Sequence, residues 1–167
     1  CTECRDITVD VMNNLYCVVF DQHKIVSTSL TTRRNLWNML AGTGTAGNTT
    51  DTLNNPQGVF VDRNLDFYVG DCGNDRVQKY RYGQRNGTTV VGAAAAGTIT
   101  LNCPSGITMD ADGYLFIVDN LNHRVIGQGP TGFRCIVACS NALGTGATAL
   151  NYPNKLHFDT FGNLFVS

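Results

Sequence analysis

Three stretches of this 167-residue chain repeat one another closely: Leu53-Asn-Asn-Pro-Gln-Gly-Val-Phe-Val-Asp62, Leu101-Asn-Cys-Pro-Ser-Gly-Ile-Thr-Met-Asp110 and Leu150-Asn-Tyr-Pro-Asn-Lys-Leu-His-Phe-Asp159. A weaker copy, Arg5-Asp-Ile-Thr-Val-Asp10, lies near the start, so the closing aspartates Asp10, Asp62, Asp110 and Asp159 fall 52, 48 and 49 residues apart. Self-similarity at this period is the mark of a repeat architecture, in which each unit buries its apolar face against the next. Taking the Leu position as the start, the units run 1–52, 53–100, 101–149 and 150–167, the last one partial.

After each aspartate the register continues without gaps. Asn14-Leu-Tyr-Cys-Val-Val19, Asp66-Phe-Tyr-Val-Gly-Asp71, Tyr114-Leu-Phe-Ile-Val-Asp119 and Asn163-Leu-Phe-Val-Ser167 superpose. Gln22-His-Lys-Ile25, Asn74-Asp-Arg-Val77 and Asn122-His-Arg-Val125 follow. Each unit therefore predicts a short innermost strand, a tight turn, a second strand, a polar turn, a third strand from Lys24, Arg76 or Arg124, and a weaker fourth. The fourth strands are expected at Leu36 to Leu40, Thr88 to Gly92 and Thr131 to Val137. Composition agrees: Glu3 is the one Glu among 13 acidic residues, and Lys24, Lys79 and Lys155 are the three Lys among 12 basic ones. A chain so poor in the residues of exposed helix faces is expected to be all-β.

Four strands in about 48 residues is the size of a propeller blade. The Asn-Pro-x-Gly-(Ile/Val)-x-(Val/Met)-Asp start, the (Leu/Phe)-(Tyr/Phe)-(Val/Ile)-x-Asp second strand and the Asn-(His/Asp)-Arg-Val third strand closely resemble NHL repeats. Units two and three match at nearly every motif position. Unit one has Cys4 where Pro56 and Pro104 stand, and Val19 where Asp71 and Asp119 stand; unit four has Lys155 in place of the glycine. The expected fold is a β-propeller segment of about 3.3 NHL-type blades. NHL propellers resemble one another in having about five to eight blades, so the ring is expected to be completed by more chain or by other copies.

In the motif, Pro presets φ ahead of the innermost strand, and Gly58 or Gly106 permits close backbone approach. Asp71 or Asp119 is suited to accept turn amides, and Arg76 or Arg124 to reach a carboxylate or a carbonyl of a neighbouring blade. Asp10, Asp62, Asp110 and Asp159 suit capping of the following turns better than a calcium site.

Seven cysteines without paired zinc knuckles point to an oxidising, extracellular compartment, with one thiol left over. Cys72 and Cys103 belong to loops expected on the same face of adjacent blades, so a bridge is predicted, with free thiols the alternative. Cys135 and Cys139 need a bulge to meet, because residues four apart in a strand lie about 13 Å apart. Cys1 and Cys4 suit a local pair or a preceding blade, and Cys17 is expected as a buried free thiol. Cys1 is not a translation start, so the chain is expected to be processed or partial, with any signal peptide upstream. Two N-glycosylation sequons occur, Asn48-Thr-Thr50 and Asn86-Gly-Thr88, expected on opposite rims.

Catalysis has little support. His23 and His123 occupy one repeat position two units apart, which leaves His157 alone as an axial metal ligand where about three are needed. Gly42-x-Gly-x-x-Gly47 matches dinucleotide-loop letters but precedes a strand. Net charge −1 with scattered arginines gives no nucleic-acid face, and no stretch reaches the ~18 apolar residues of a membrane span. The sequence points to a non-enzymatic extracellular scaffold or binding module without cofactor. Its expected partners are proteins, glycans or copies of itself through strand edges. The alternative is part of a metal-dependent propeller lyase or hydrolase.

Overall fold

The computed structural model describes residues 3–32, 36–140, 144 and 149–167. Cys1 lies outside them. Blade 1 comprises β1 (Ile7–Val9), β2 (Asn14–Val19), β3 (Lys24–Ser29) and β4 (Asn38–Ala41). Blade 2 comprises β5 (Pro56–Val61), β6 (Phe67–Asp71), β7 (Arg76–Tyr80) and β8 (Thr88–Gly92). Blade 3 comprises β9 (Pro104–Met109), β10 (Leu115–Asp119), β11 (Arg124–Gly129) and β12 (Gly132–Val137). The fourth unit contributes β13 (Leu156–Phe158) and β14 (Leu164–Val166).

Each full blade is an antiparallel meander in chain order, and the fourth unit is a two-stranded hairpin. The third strands begin at Lys24, Arg76 and Arg124, where the motif places them. The fourth strand of blade 1 starts at Asn38, opposite Ser27, rather than at Leu36, and a register shift between Ile25 and Val26 carries it on to Ala41 opposite Ile25. That of blade 3 starts at Gly132, whose φ of 106° turns the hairpin tightly.

The core lies between blades. Val59 on β5 packs with Tyr16, Val18 and Ile25 of blade 1. Ile107 on β9 packs with Tyr68 and Val77 of blade 2. Burying one such side chain contributes about 1.5 to 3 kcal/mol, so each junction is a small hydrophobic core of its own. The glycines permit that closeness: a Cβ on Gly58 would stand 1.9 Å from the Ser105 carbonyl oxygen, and one on Gly106 2.8 Å from that of Asn154.

The outer blades differ. At the repeat position of Val59, Ile107 and Leu156, which are 4–7% exposed, blade 1 has Ile7 at 59%. Among the described residues no blade packs on that face. Phe165, at the position of the buried Tyr16 and Tyr68, is 51% exposed on the fourth unit.

Candidate functional site

The innermost strands point their lead-in residues at one end of the propeller axis. The residue after the motif proline position is Arg5, Gln57, Ser105 and Asn154 in the successive units. These four line one mouth of the axis, a cavity of about 260 Å³. Arg5 Nε donates to Gln57 Oε1 at 2.8 Å, and Ser105 Oγ donates to the Asn154 carbonyl at 3.0 Å. Asn120 Nδ2 donates to the Pro153 carbonyl at 2.8 Å, closing the rim between blade 3 and the fourth unit. The result is a polar, hydrogen-bonding concavity with one exposed guanidinium, the chemistry of a recognition surface.

A second signal follows one residue further along each strand. There the sequence has Asp6, Gly58, Gly106 and Lys155. The two outer side chains meet, Lys155 Nζ to Asp6 Oδ1 at 2.5 Å. Asp6 is held in turn by the Ile7 and Val59 amides at 2.9 and 3.0 Å.

The repeated charged residues are engaged in the fold. Asp71 accepts the Asn54 amide, Asn74 Nδ2 and Arg76 Nε at 2.7 to 2.8 Å, and Arg76 reaches the carbonyls of Asn48, Thr49 and Thr52. Asp119 and Arg124 repeat the arrangement with Asn102, Asn122 and the Thr100 carbonyl. Burial pushes the Asp71 carboxyl up, against the pull of the Asn54, Asn74 and Arg76 bonds.

The turn aspartates are caps. Asp10, Asp62, Asp110 and Asp159 each accept the amides two and four residues on, at 2.8 to 3.0 Å. Burial raises the Asp10 carboxyl, yet bonds from Asn14, Tyr16 and Met12 bring it below its ordinary value. No group of three His, Cys, Asp or Glu suited to a metal occurs among the described residues.

His23 and His123 are junction clasps. His23 Nδ1 accepts the Asn55 amide at 3.0 Å and His123 Nδ1 the Tyr152 amide at 3.1 Å. Between them Asp75 Oδ1 accepts the Cys103 amide at 2.8 Å. All three clasp residues are left-handed, with φ of 47°, 51° and 52°. His157 is exposed and stacks on Phe165 at 5.3 Å.

Three disulfides are present. Cys72–Cys103 joins the turn after β6 to the start of blade 3, beside the axial mouth. Cys135–Cys139 closes because Ala138, at φ 55°, turns the chain back after β12 ends at Val137. The expectation for Cys17 fails. It bonds Cys4, since the proline position of blade 1 is Cys4 and its side chain meets the strand that pairs with β1. The sequons also differ from expectation, because the Gly87 amide donates to the Thr50 carbonyl at 2.7 Å. That bond sets Asn48-Thr-Thr50 and Asn86-Gly-Thr88 side by side, with both asparagines exposed.

The NHL repeat family matches this sequence over residues 53–80, which span the lead-in of blade 2 through β7. Residues 53–80 are an NHL repeat, set in a propeller fold. No curated protein matches the sequence. Among solved structures, a protein of unknown function from Bacteroides thetaiotaomicron is 16% identical with a TM-score of 0.76, covering 96% of this chain and 43% of its own. Virginiamycin B lyase from Staphylococcus aureus is 12% identical at a TM-score of 0.63, covering 97% and 47%. A chain of a nidogen/laminin complex is 20% identical at 0.66, covering 93% and 52%. At these identities the likeness is one of fold. The chain spans about half the length of the solved structures it matches. Among the described residues no helix is long and apolar enough to cross a membrane.

Proposed function

We propose that the chain is part of an extracellular, non-enzymatic NHL propeller that serves as a binding scaffold, with its axial mouth as the recognition surface. The observation supporting this reading is that the charged side chains the repeats share are engaged in holding turns and blades together. The variable residues Arg5, Gln57, Ser105 and Asn154 are the ones turned to the mouth. Such a division leaves the motif as framework and the non-motif positions to choose a partner. The three disulfides suit an oxidising compartment.

N-glycosylation at Asn48 and Asn86 belongs to the same reading. Their shared position beside the blade 1–blade 2 junction leaves the axial mouth clear for protein or glycan partners. The exposed Ile7 face of blade 1 suits a further NHL-type blade, supplied by a longer chain or by another copy, and repetition of that contact between copies would build a fibril. Secretion from a eukaryotic host tests the proposal through intact mass before and after enzymatic removal of N-glycans. Two glycans are expected, with N48Q and N86Q each losing one; a secreted chain without sugar would remove the glycoprotein reading. Light scattering over a concentration series checks self-association, and a well-folded monomer throughout would exclude it.

The fold likeness to a lyase and the placement of His157 on an innermost strand favour a second reading, a metal-dependent enzyme to which these blades contribute. Titration with divalent metal discriminates. Under that reading His157→Ala weakens metal binding, whereas under the scaffold reading the chain takes up no stoichiometric metal.

A further inference from the structure

The four innermost strands carry Asp6, Gly58, Gly106 and Lys155 at one repeat position. The two middle units require glycine there, because a Cβ would run into the neighbouring strand's backbone. The two outer units depart from glycine in opposite senses, one anionic and one cationic, and their side chains touch. Units 1 and 4 are not neighbours in the ring, and 149 residues separate Asp6 from Lys155. The contact therefore crosses the axis rather than a blade junction.

We propose that the Asp6–Lys155 pair is a cross-axis latch, tying blade 1 directly to the fourth unit and fixing the opening of this arc of blades. Asp6 is prepared for the role, its carboxylate oriented by the Ile7 and Val59 amides and 15% exposed. Lys155 lines the same axial cavity as Thr8, Ile107 and Leu156, and the pair is only partly exposed, at 37% for the lysine and 15% for the aspartate, which limits the water that screens it. A contact that closes so long a stretch of chain restrains the two ends more than a local ion pair would. It also accounts for both glycine substitutions with one cause.

Hydrogen exchange read at the amides of β1 and β13 tests the latch in the full chain. Lys155→Met keeps the stem and removes the charge; Asp6→Asn removes the charge and, with one side-chain oxygen left, accepts one of the Ile7 and Val59 amides rather than both. Each is expected to speed exchange in both strands by about three- to tenfold, the range for a partly buried pair. Exchange in β6 and β10 should stay unchanged. The double variant should be no faster than Asp6→Asn alone, since the lysine's contact is already lost there, and Lys155→Arg should keep exchange slow. Additive effects of the two variants, or acceleration confined to the mutated strand, would overturn the proposal. Should Asp6→Asn fold poorly, Lys155→Met and Lys155→Arg decide it alone: equal exchange in those two variants sinks the latch.

Discussion

Blade 1 and blade 2 solve one mechanical problem with different chemistry. In blade 2 the buried carboxylate of Asp71, 0% exposed, ties the lead-in at Asn54 to the end of β6 and to Arg76. In blade 1 the corresponding positions are Val19 and Lys24, and the lead-in is tied to the second strand by the Cys4–Cys17 bond. Val19 and Val26 pack around Cys17 in a small dry cluster. A polar hub with several bonded partners and a covalent staple with an apolar surround both hold the innermost strand in register. Loss of one motif residue is thus tolerated when another contact replaces its function.

The largest effect expected from breaking this comparison is at the hub. Asp71→Ala leaves the Arg76 guanidinium, 5% exposed, without its counter-charge, and should cost about 3 to 5 kcal/mol in urea unfolding. Val19→Ala, at the same position of blade 1, should cost about 1 to 2 kcal/mol because it removes methyl groups and no charge. Replacing both Cys4 and Cys17 by serine opens a loop with a 13-residue separation and should lower stability by about 3 kcal/mol. A loss in blade 2 from that change equal to the loss in blade 1 would show that the two ties are not local.

Burial sharpens the comparison next. Val59→Ala should cost about 1 to 3 kcal/mol, whereas Ile7→Ala, at the equivalent but 59% exposed position, should change stability by less than about 0.5 kcal/mol. Ile7→Ala becoming as costly as Val59→Ala at high concentration would reveal a partner blade on that face. A smaller effect than that of Val59→Ala is expected in acid. The Asp10 carboxyl lies below its ordinary value in the fold, so its bonds stabilise fully above the unfolded carboxylate value near ~3.9 and are lost as pH falls through the lower folded value. Asp10→Asn should flatten that part of the acid unfolding curve by a loss of about 1 kcal/mol at neutral pH.

Much of the fold was legible because the repeat aligns residues of equal environment. The second strands and the third-strand starts at Lys24, Arg76 and Arg124 follow from the aligned register of the repeats, their short apolar runs and their turn residues. The turn role of the aspartates was equally local, since each bonds amides two and four residues away. The histidine clasps were not legible, because their partners Asn55 and Tyr152 lie 32 and 29 residues on, and nothing in a side chain names a distant amide. The Cys4–Cys17 bond escaped for a different reason. An apolar strand suggests a buried thiol, and the signal that spoke against it was Cys4 standing in the proline position.

The sequence by itself determined the period, the strand order within each blade and the turn role of the repeated aspartates, since these depend on local periodicity and turn chemistry. Only the tertiary structure decided which side chains of different blades meet: Arg5 with Gln57, the two sequons side by side, and Asp6 with Lys155. The first two depend on how blades 1 and 2 pack and the third on the curvature accumulated over three blade junctions, quantities that packing sets and residue spacing does not encode.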